Sequence, residues 1–223
     1  MAKQYAVVGL GRFGYAVAKG LERQGQEVLA VDLDEERVEA MMDKVTRAVI
    51  ADAADEHTFL ALGLGDMDGL VVAIGEGNLP SAIMVCMLAK EQGVPLVVAK
   101  ASLDIHGKIF ERVGADIVVY PEADMGKRLA YRLAHRNVLE QMALSDDIHM
   151  ITMNVPEDWR GKSIGEVDAR VKYGVNIVAI ESGMDGKNVV VSPSSEHIFA
   201  AGDRMSVVAT EKSLQRLEKK FSV

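Results

Sequence analysis

The residues best suited to chemistry are the six of Gly9-Leu10-Gly11-Arg12-Phe13-Gly14. They follow a short apolar run, Tyr5–Val8, and open a stretch in which Phe13, Val17 and Leu21 recur every four residues. A strand, a glycine turn and a helix start in that order make a phosphate cradle. Gly9 suits the tight turn, Gly11 lets a phosphate approach the backbone, and Gly14 lets helix and sheet pack closely. The helix start adds unpaired N–H groups and the positive end of its dipole. The next apolar run, Val28–Val31, ends in Asp32, where a carboxylate accepts ribose hydroxyls and argues against a 2′-phosphate, and so against NADP. The chemistry these residues suit is nucleotide binding, with a purely structural glycine turn as the alternative.

Arg12 is the unexpected residue, because backbone N–H groups alone serve a bridging diphosphate. A guanidinium there can pair bidentately with a terminal phosphate, which favours ATP or ADP over NAD. Position alone equally suits a solvated arginine at a helix start. Asp52 and Ala53 follow the third apolar run, where strand ends line a ligand crevice, and Asp52 is placed to reach an adenine. Asp55 reads as the cap of the next helix. Ile74-Gly75-Glu76-Gly77-Asn78 is a second glycine turn at the same edge, either over the ligand or a plain β-to-α connection.

No catalytic set accompanies these residues, and the chain is not expected to be an enzyme. His57, His106, His135, His149 and His197 are scattered, without H-E-x-x-H spacing. Cys86, the single cysteine, lies on an apolar helical run and reads as a buried, inert thiol. One cysteine also excludes an intrachain disulfide and a multi-cysteine zinc site. Lys127, Arg128, Arg132 and Arg136 read as the solvated face of a long helix, with a partner contact as the minority alternative.

The elements that must position the glycine turn are legible in outline. Continuous apolar runs at Tyr5–Val8, Val28–Val31, Arg47–Ile50, Leu70–Ile74, Leu96–Ala99 and Ile117–Val119 suit parallel strands covered on both faces. Helical periods separate them, such as Ile105, Ile109, Val113 and then Met125, Leu129, Leu133. Alternating β and α imply a Rossmann-like, doubly wound parallel sheet. The 223 residues are enough for one large or two modest domains at about 150 residues each. With 49% apolar and 26% charged residues the chain can bury a core, and a net charge of −8 disfavours broad nucleic-acid binding. No apolar stretch approaches the roughly 18 residues of a spanning helix, and no signal-peptide pattern opens the chain. The expected location is the cytoplasm.

The pattern changes in the last third. Residues 1–137 read as the nucleotide-binding domain, a helix from Pro121 through Arg136 and Leu139 to about 144 as linker, and 145–223 as a small α+β domain. Expected elements there are strand Ile148–Val155, helix Ser163–Arg170, strands Val175–Glu181, Asn188–Val191 and Met205–Ala209, and helix Lys212–Phe221. Met184–Lys187 reads as a hairpin turn. So small a domain sits at the edge of self-sufficient burial, and dimerisation would add buried area. The helix Pro80–Gly93 has no polar face before Lys90, which favours a subunit interface over a helix buried within one subunit.

Taken together the motifs resemble the regulatory subunits of bacterial Trk/Ktr-type potassium uptake systems, an RCK (KTN) domain followed by an RCK C-terminal domain. The segments carrying this are Val7–Gly14, Ala30-Val31-Asp32, Lys100-Ala101, Gly114-Ala115-Asp116 and Tyr120–Gly126. In the second half they are Trp159–Ile164, Arg170–Gly174 and Gly202-Asp203-Arg204. The single RCK unit and the G-L-G-R-F-G form look more like the Ktr than the tandem Trk subunit. The resemblance implies a cytoplasmic gating protein that binds ATP or ADP. It would form rings of dimers, typically octamers, beneath a membrane channel or transporter. Arg12 matches the arginine that senses the terminal phosphate. Glu122 matches a glutamate near the neighbouring subunit's phosphates, joined to them in some members through a divalent cation such as Mg²⁺. Phe13, Ile74, Gly75 and Lys100 complete the implied cleft. Some Ktr-type members bind cyclic di-AMP at the C-terminal dimer interface. Arg170, Asn176, Ile177 and Pro193 fall in that region, where plain dimer core is the equal alternative. The competing reading is an NAD(H)-binding sensor or NAD-linked oxidoreductase. A nucleotide-sensing repressor is disfavoured by the charge and the lack of a basic recognition helix.

Overall fold

The computed structural model describes residues 2–135, 138–145, 147–183 and 188–221. They fall into two compact units, Met1–Asp124 and Met125–Val223. The first alternates strand and helix: β1 (Gln4–Val8), α1 (Arg12–Arg23), β2 (Glu27–Asp32), α2 (Glu35–Glu39), β3 (Arg47–Ile50) and α3 (Glu56–Ala61). It continues with β4 (Gly69–Val72), α4 (Leu79–Glu91), β5 (Val97–Lys100), α5 (Asp104–Arg112), β6 (Ile117–Val119) and the start of α6 (Pro121–Ala134). All neighbouring strands are parallel, in the order β3-β2-β1-β4-β5-β6.

Strands covered on both faces need apolar residues at successive positions, and β1 shows both faces at work. Val7, with Ala30 and Val71, packs on one side in a cluster that includes Ala18, Val38 and Met41. Ala6 and Val8 pack on the other with Phe59, Val85, Cys86 and Phe110. The strand order reverses between β1 and β4, which opens a crevice at the carboxyl ends of these two strands. β4 stops at Val72, two residues short of the expected Ile74, because Ala73 and Ile74 already belong to the turn that lines this crevice. α4 buries Val85, Cys86, Leu88 and Ala89 but leaves Met84 and Met87 45% and 37% exposed. Its apolar surface therefore exceeds what this unit covers.

The second unit contains β7 (Val138–Ala143), β8 (Ile148–Asn154), α7 (Ile164–Val167), α8 (Ala169–Tyr173), β9 (Asn176–Ser182), β10 (Asn188–Val191), β11 (Arg204–Thr210) and α9 (Glu211–Phe221). Its sheet is antiparallel, ordered β10-β9-β11-β8-β7. Alternation in β11 buries Met205, Val207 and Ala209 against Leu214 and Leu217 of α9, and Trp159 and Phe199 extend the same core.

Two expectations are corrected here. The helix from Pro121 ends at Ala134 instead of running through Leu139 to about 144, and 138–143 form β7. The short Val-Leu-Glu-Gln-Met-Ala run satisfies either period, and pairing with β8 decides it: Gln141 lies opposite Ile151 and Met142 opposite Met150. The helix expected over Ser163–Arg170 is two short helices. Asp168 stands between them at φ +50, and Lys172 donates to the carbonyls of Glu166 and Val167, so a side chain takes over the carbonyls that a continuous helix would use. The expected turn at Met184–Lys187 lies outside the described residues. Among those described, no helix is long and apolar enough to cross a membrane.

Candidate functional site

A cavity of about 420 Å³ occupies the crevice at the carboxyl ends of the parallel strands. Every residue expected to bind a cofactor lines it except Gly14. That residue sits beneath the turn, where a Cβ would stand 1.8 Å from the Gly9 carbonyl oxygen. Gly9 itself has φ +95, and a Cβ there would lie 2.7 Å from the Ala73 carbonyl carbon. Its N–H donates to Val31 O at 2.8 Å, which fixes the turn against β2. Gly11 differs: its φ is −63, and a Cβ would meet no atom within 4 Å. Two of the three glycines are therefore required by the chain's own packing, while the third keeps open space beside the cavity.

Gly11 is the N-cap of α1 and supplies no side-chain bond, and the first turn carries no acidic residue. The N–H groups of that turn are left for a ligand, at the positive end of the helix. Arg12 is the first helical residue, exposed at the cavity wall, and no ion pair engages it among the described residues. Lys100, at the end of β5, and Glu122, in the first turn of α6, pair at 2.7 Å. The hydrogen bond from Lys100, helped by the charges of Lys100 and Arg12, holds the Glu122 carboxyl below the usual carboxylate range. Arg12, Lys100 and the ionised Glu122 thus share one cavity, beside Asp32, Arg37 and Asp52.

Asp32 is only 9% exposed, and both its oxygens are occupied. Oδ2 accepts the Leu10 N–H, and Oδ1 accepts the Asp34 N–H at 2.9 Å. The carboxylate thereby locks the glycine turn to β2, and the residue also lines the cavity. Asp52 accepts the Ala54 N–H at 3.0 Å, bending the chain after β3, and Asp55 caps α3 by accepting the Thr58 N–H at 2.8 Å.

Sequence reasoning missed Arg37, Leu33 and Ser81, which also line the cavity, as does Asn78 of the second glycine turn. The signal for Arg37 was present: Asp34 followed by Glu35 and Glu36 marks a capped helix start after β2. Arg37 is the third residue of that helix, and helical side chains tilt back toward the N-terminus. Cys86 is buried in α4, where desolvation pushes its thiol up to about 11. Among the described residues no group of three or more His, Cys, Asp or Glu could hold a metal ion.

In the second unit Arg170 lies on α8, Asn176 and Ile177 begin β9, and Pro193 follows β10. Arg170 and Asn176 are exposed, while Ile177 packs partly against the core. A groove of this unit, of about 410 Å³, has other walls, including Leu129 and Arg132 of α6 and Met142 of β7.

A parallel sheet of order 3-2-1-4-5-6, with a glycine turn at its switch point and an acid after β2, defines a Rossmann-type nucleotide-binding domain. The TrkA-N domain family matches residues 5–121 and the TrkA-C domain family residues 148–222. The chain belongs to the TrkA-N/TrkA-C family in its Ktr-type form, as the motifs in both halves implied. It is 38% identical over 220 residues to the Ktr system potassium uptake protein C of Bacillus subtilis (strain 168), covering 99% of this chain and 98% of that one. It is likewise 38% identical over 216 residues to the Ktr system potassium uptake protein A of the same organism, covering 97% and 96%. The fold matches the solved GsuK channel with a TM-score of 0.71 at 16% identity, over 100% of this chain and 40% of that chain.

Proposed function

We propose that this chain is the cytoplasmic regulatory subunit of a potassium uptake system. It binds ATP or ADP in the Rossmann cleft and controls a membrane channel or transporter subunit, to which it is peripheral. Near full-length similarity to two Ktr potassium uptake proteins supports the transport role and, with it, a non-enzymatic one. The observation that carries the nucleotide reading is Arg12. It stands beside uncapped N–H groups at the start of α1, in one cavity with Lys100 and Glu122. A site built for a bridging diphosphate has no need of that cation; a terminal phosphate does.

In this reading Gly9, Gly11 and Phe13 hold the phosphates, Asp32 the ribose, Asp52, Ala53, Ile74 and Gly75 the base, and Gly14 the geometry of the turn. Glu122 takes a Mg²⁺ shared with nucleotide phosphates across a subunit interface. The exposed Met84 and Met87 of α4 supply part of the contact in a ring of dimers, an octamer by family analogy. ATP and ADP then bind two ring states with different affinity, which is what a ligand-driven switch requires. Arg170, Asn176, Ile177 and Pro193 form a second ligand site for cyclic di-AMP at the C-terminal dimer interface, a role that rests on family analogy.

Titrating nucleotide-free protein calorimetrically with ATP plus Mg²⁺, ADP and NADH, with light scattering on each mixture, tests this. ATP and ADP binding to a large ring with weak NADH binding is the expected result. Tight NADH binding with weak ATP binding would favour the second reading, an NAD(H)-binding sensor or NAD-linked oxidoreductase. The glycine turn and Asp32 already suit that ligand.

A further inference from the structure

We infer that Arg37 is a specificity-determining residue of the nucleotide cleft, a positioning residue that acts through Asp32 to set preference for a ribose carrying its 2′-hydroxyl. The inference rests on the proposed nucleotide reading and adds a residue to it.

Asp34 caps α2 and accepts the Arg37 N–H at 3.3 Å, so the third residue of α2 is tied to the end of β2. The side chain returns over that end. Its Nε lies 3.2 Å from Asp34 Oδ2 and its Nη1 3.6 Å from Asp32 Oδ2. Asp32 is thus fixed on three sides, by the Leu10 N–H, the Asp34 N–H and the Arg37 guanidinium. Arg37 remains 52% exposed, and it lines both the cavity and an adjoining recess shared with Gly11, Arg12 and Tyr15. It therefore stands where the ribose end of the cleft opens outward.

A carboxylate recognises a vicinal diol only if its free lone pairs are aimed, because both hydroxyls must be met in one geometry. The two backbone bonds fix where the Asp32 carboxylate sits. The guanidinium, on the outer side, fixes its tilt and offsets its charge against an incoming polyphosphate. Without Arg37 the carboxylate can turn away from the diol, and its charge meets the ligand uncompensated. A 2′-deoxyribose offers only its 3′-hydroxyl to that aim, so it shares the charge penalty but loses less of the recognition than ATP does.

The test is the ratio of ATP to 2′-deoxy-ATP affinity, measured by calorimetry in the intact protein, in Arg37→Gln and in Arg37→Lys. The intact protein is expected to prefer ATP by on the order of tenfold, one hydrogen bond to a charged acceptor. Arg37→Gln should bring the ratio toward one, and Arg37→Lys should keep part of it. A purely structural role would weaken both ligands equally and leave the ratio unchanged, and that result overturns the inference. An intact protein that binds both equally overturns it as well. No binding of either nucleotide overturns the nucleotide reading itself, and the inference with it.

Discussion

Lys100 Nζ and Glu122 Oε1 meet at 2.7 Å, joining the end of β5 to the first turn of α6 at the wall of the cleft. The two ends are unequal, since the lysine side chain is 15% exposed and the glutamate 65%. The cleft thus contains an inner cation neutralised by an outer, displaceable acid. A phosphate that reaches Lys100 competes with Glu122, and a divalent cation can take up the carboxylate that is released.

Glu122→Gln should therefore separate phosphate attraction from metal dependence. With Lys100 unpaired, ATP and ADP should bind about three- to tenfold more tightly in the absence of Mg²⁺, as expected for one partly screened charge. The gain that Mg²⁺ confers on the unaltered protein should disappear. Calorimetry with and without Mg²⁺ checks this, and an unchanged Mg²⁺ gain would remove Glu122 from any cation site.

Arg12→Ala should weaken ATP more than ADP. Loss of a charge-assisted contact to the γ-phosphate is worth about 2 kcal/mol, or more than tenfold in affinity. ADP, lacking that phosphate, should lose only general attraction, a few-fold at physiological salt. Equal losses for both ligands would leave Arg12 as an unspecific surface charge.

Much of the first domain was legible because its signals are local. Six apolar runs and the G-x-G-x-x-G turn each carry their meaning within a few residues, and the strands came out within two residues of expectation. One of the two elements that failed, the helix extended through 138–143, depended on a partner strand ten residues further on. Arg37 was missed for a related reason. Its role comes from the return of its side chain over Asp32, whereas a motif read along the backbone stops at Asp32. The contrast between Gly11 and Gly14 was readable as roles but not as magnitudes, since only the fold shows how near Gly9 O comes to Gly14.

Asp116 gives a pH prediction with a definite sign. Its carboxylate accepts the Val97 N–H at 2.7 Å and pairs with Lys90 at 3.0 Å, and these hold its pKa below the ordinary value, the Val97 bond contributing most. A depressed folded pKa stabilises the fold above the unfolded value near 3.9, and that stabilisation is lost as pH falls through the folded value. The group is 38% exposed, so screening limits the effect to about 1 kcal/mol or less. Asp116→Asn should lower the urea midpoint at pH 7, and its deficit against the unaltered protein should be smaller at pH 3. An equal deficit at both values would mean that the charge is irrelevant.

Gly11→Ala and Gly14→Ala should fail in opposite ways, and together they test whether the turn is a phosphate cradle or only a turn. At Gly14 a methyl would stand 1.8 Å from Gly9 O and 3.0 Å from the Ala73 Cβ, so α1 must move away from the sheet. Overpacking of this kind costs about 1–3 kcal/mol or more, and Tm should fall together with binding. At Gly11 the backbone, φ −63 and ψ −178, suits alanine, and the methyl meets nothing in the protein. The fold should lose at most about 1 kcal/mol, the usual disadvantage of alanine as an N-cap. If the phosphates lie against that backbone, nucleotide affinity should nevertheless fall by about tenfold or more, because the methyl occupies their place. Thermal unfolding paired with calorimetry on each variant separates the two effects. Normal nucleotide binding by Gly11→Ala would mean that the phosphates lie elsewhere in the cavity, and that the open space beside Gly11 has no ligand to explain it.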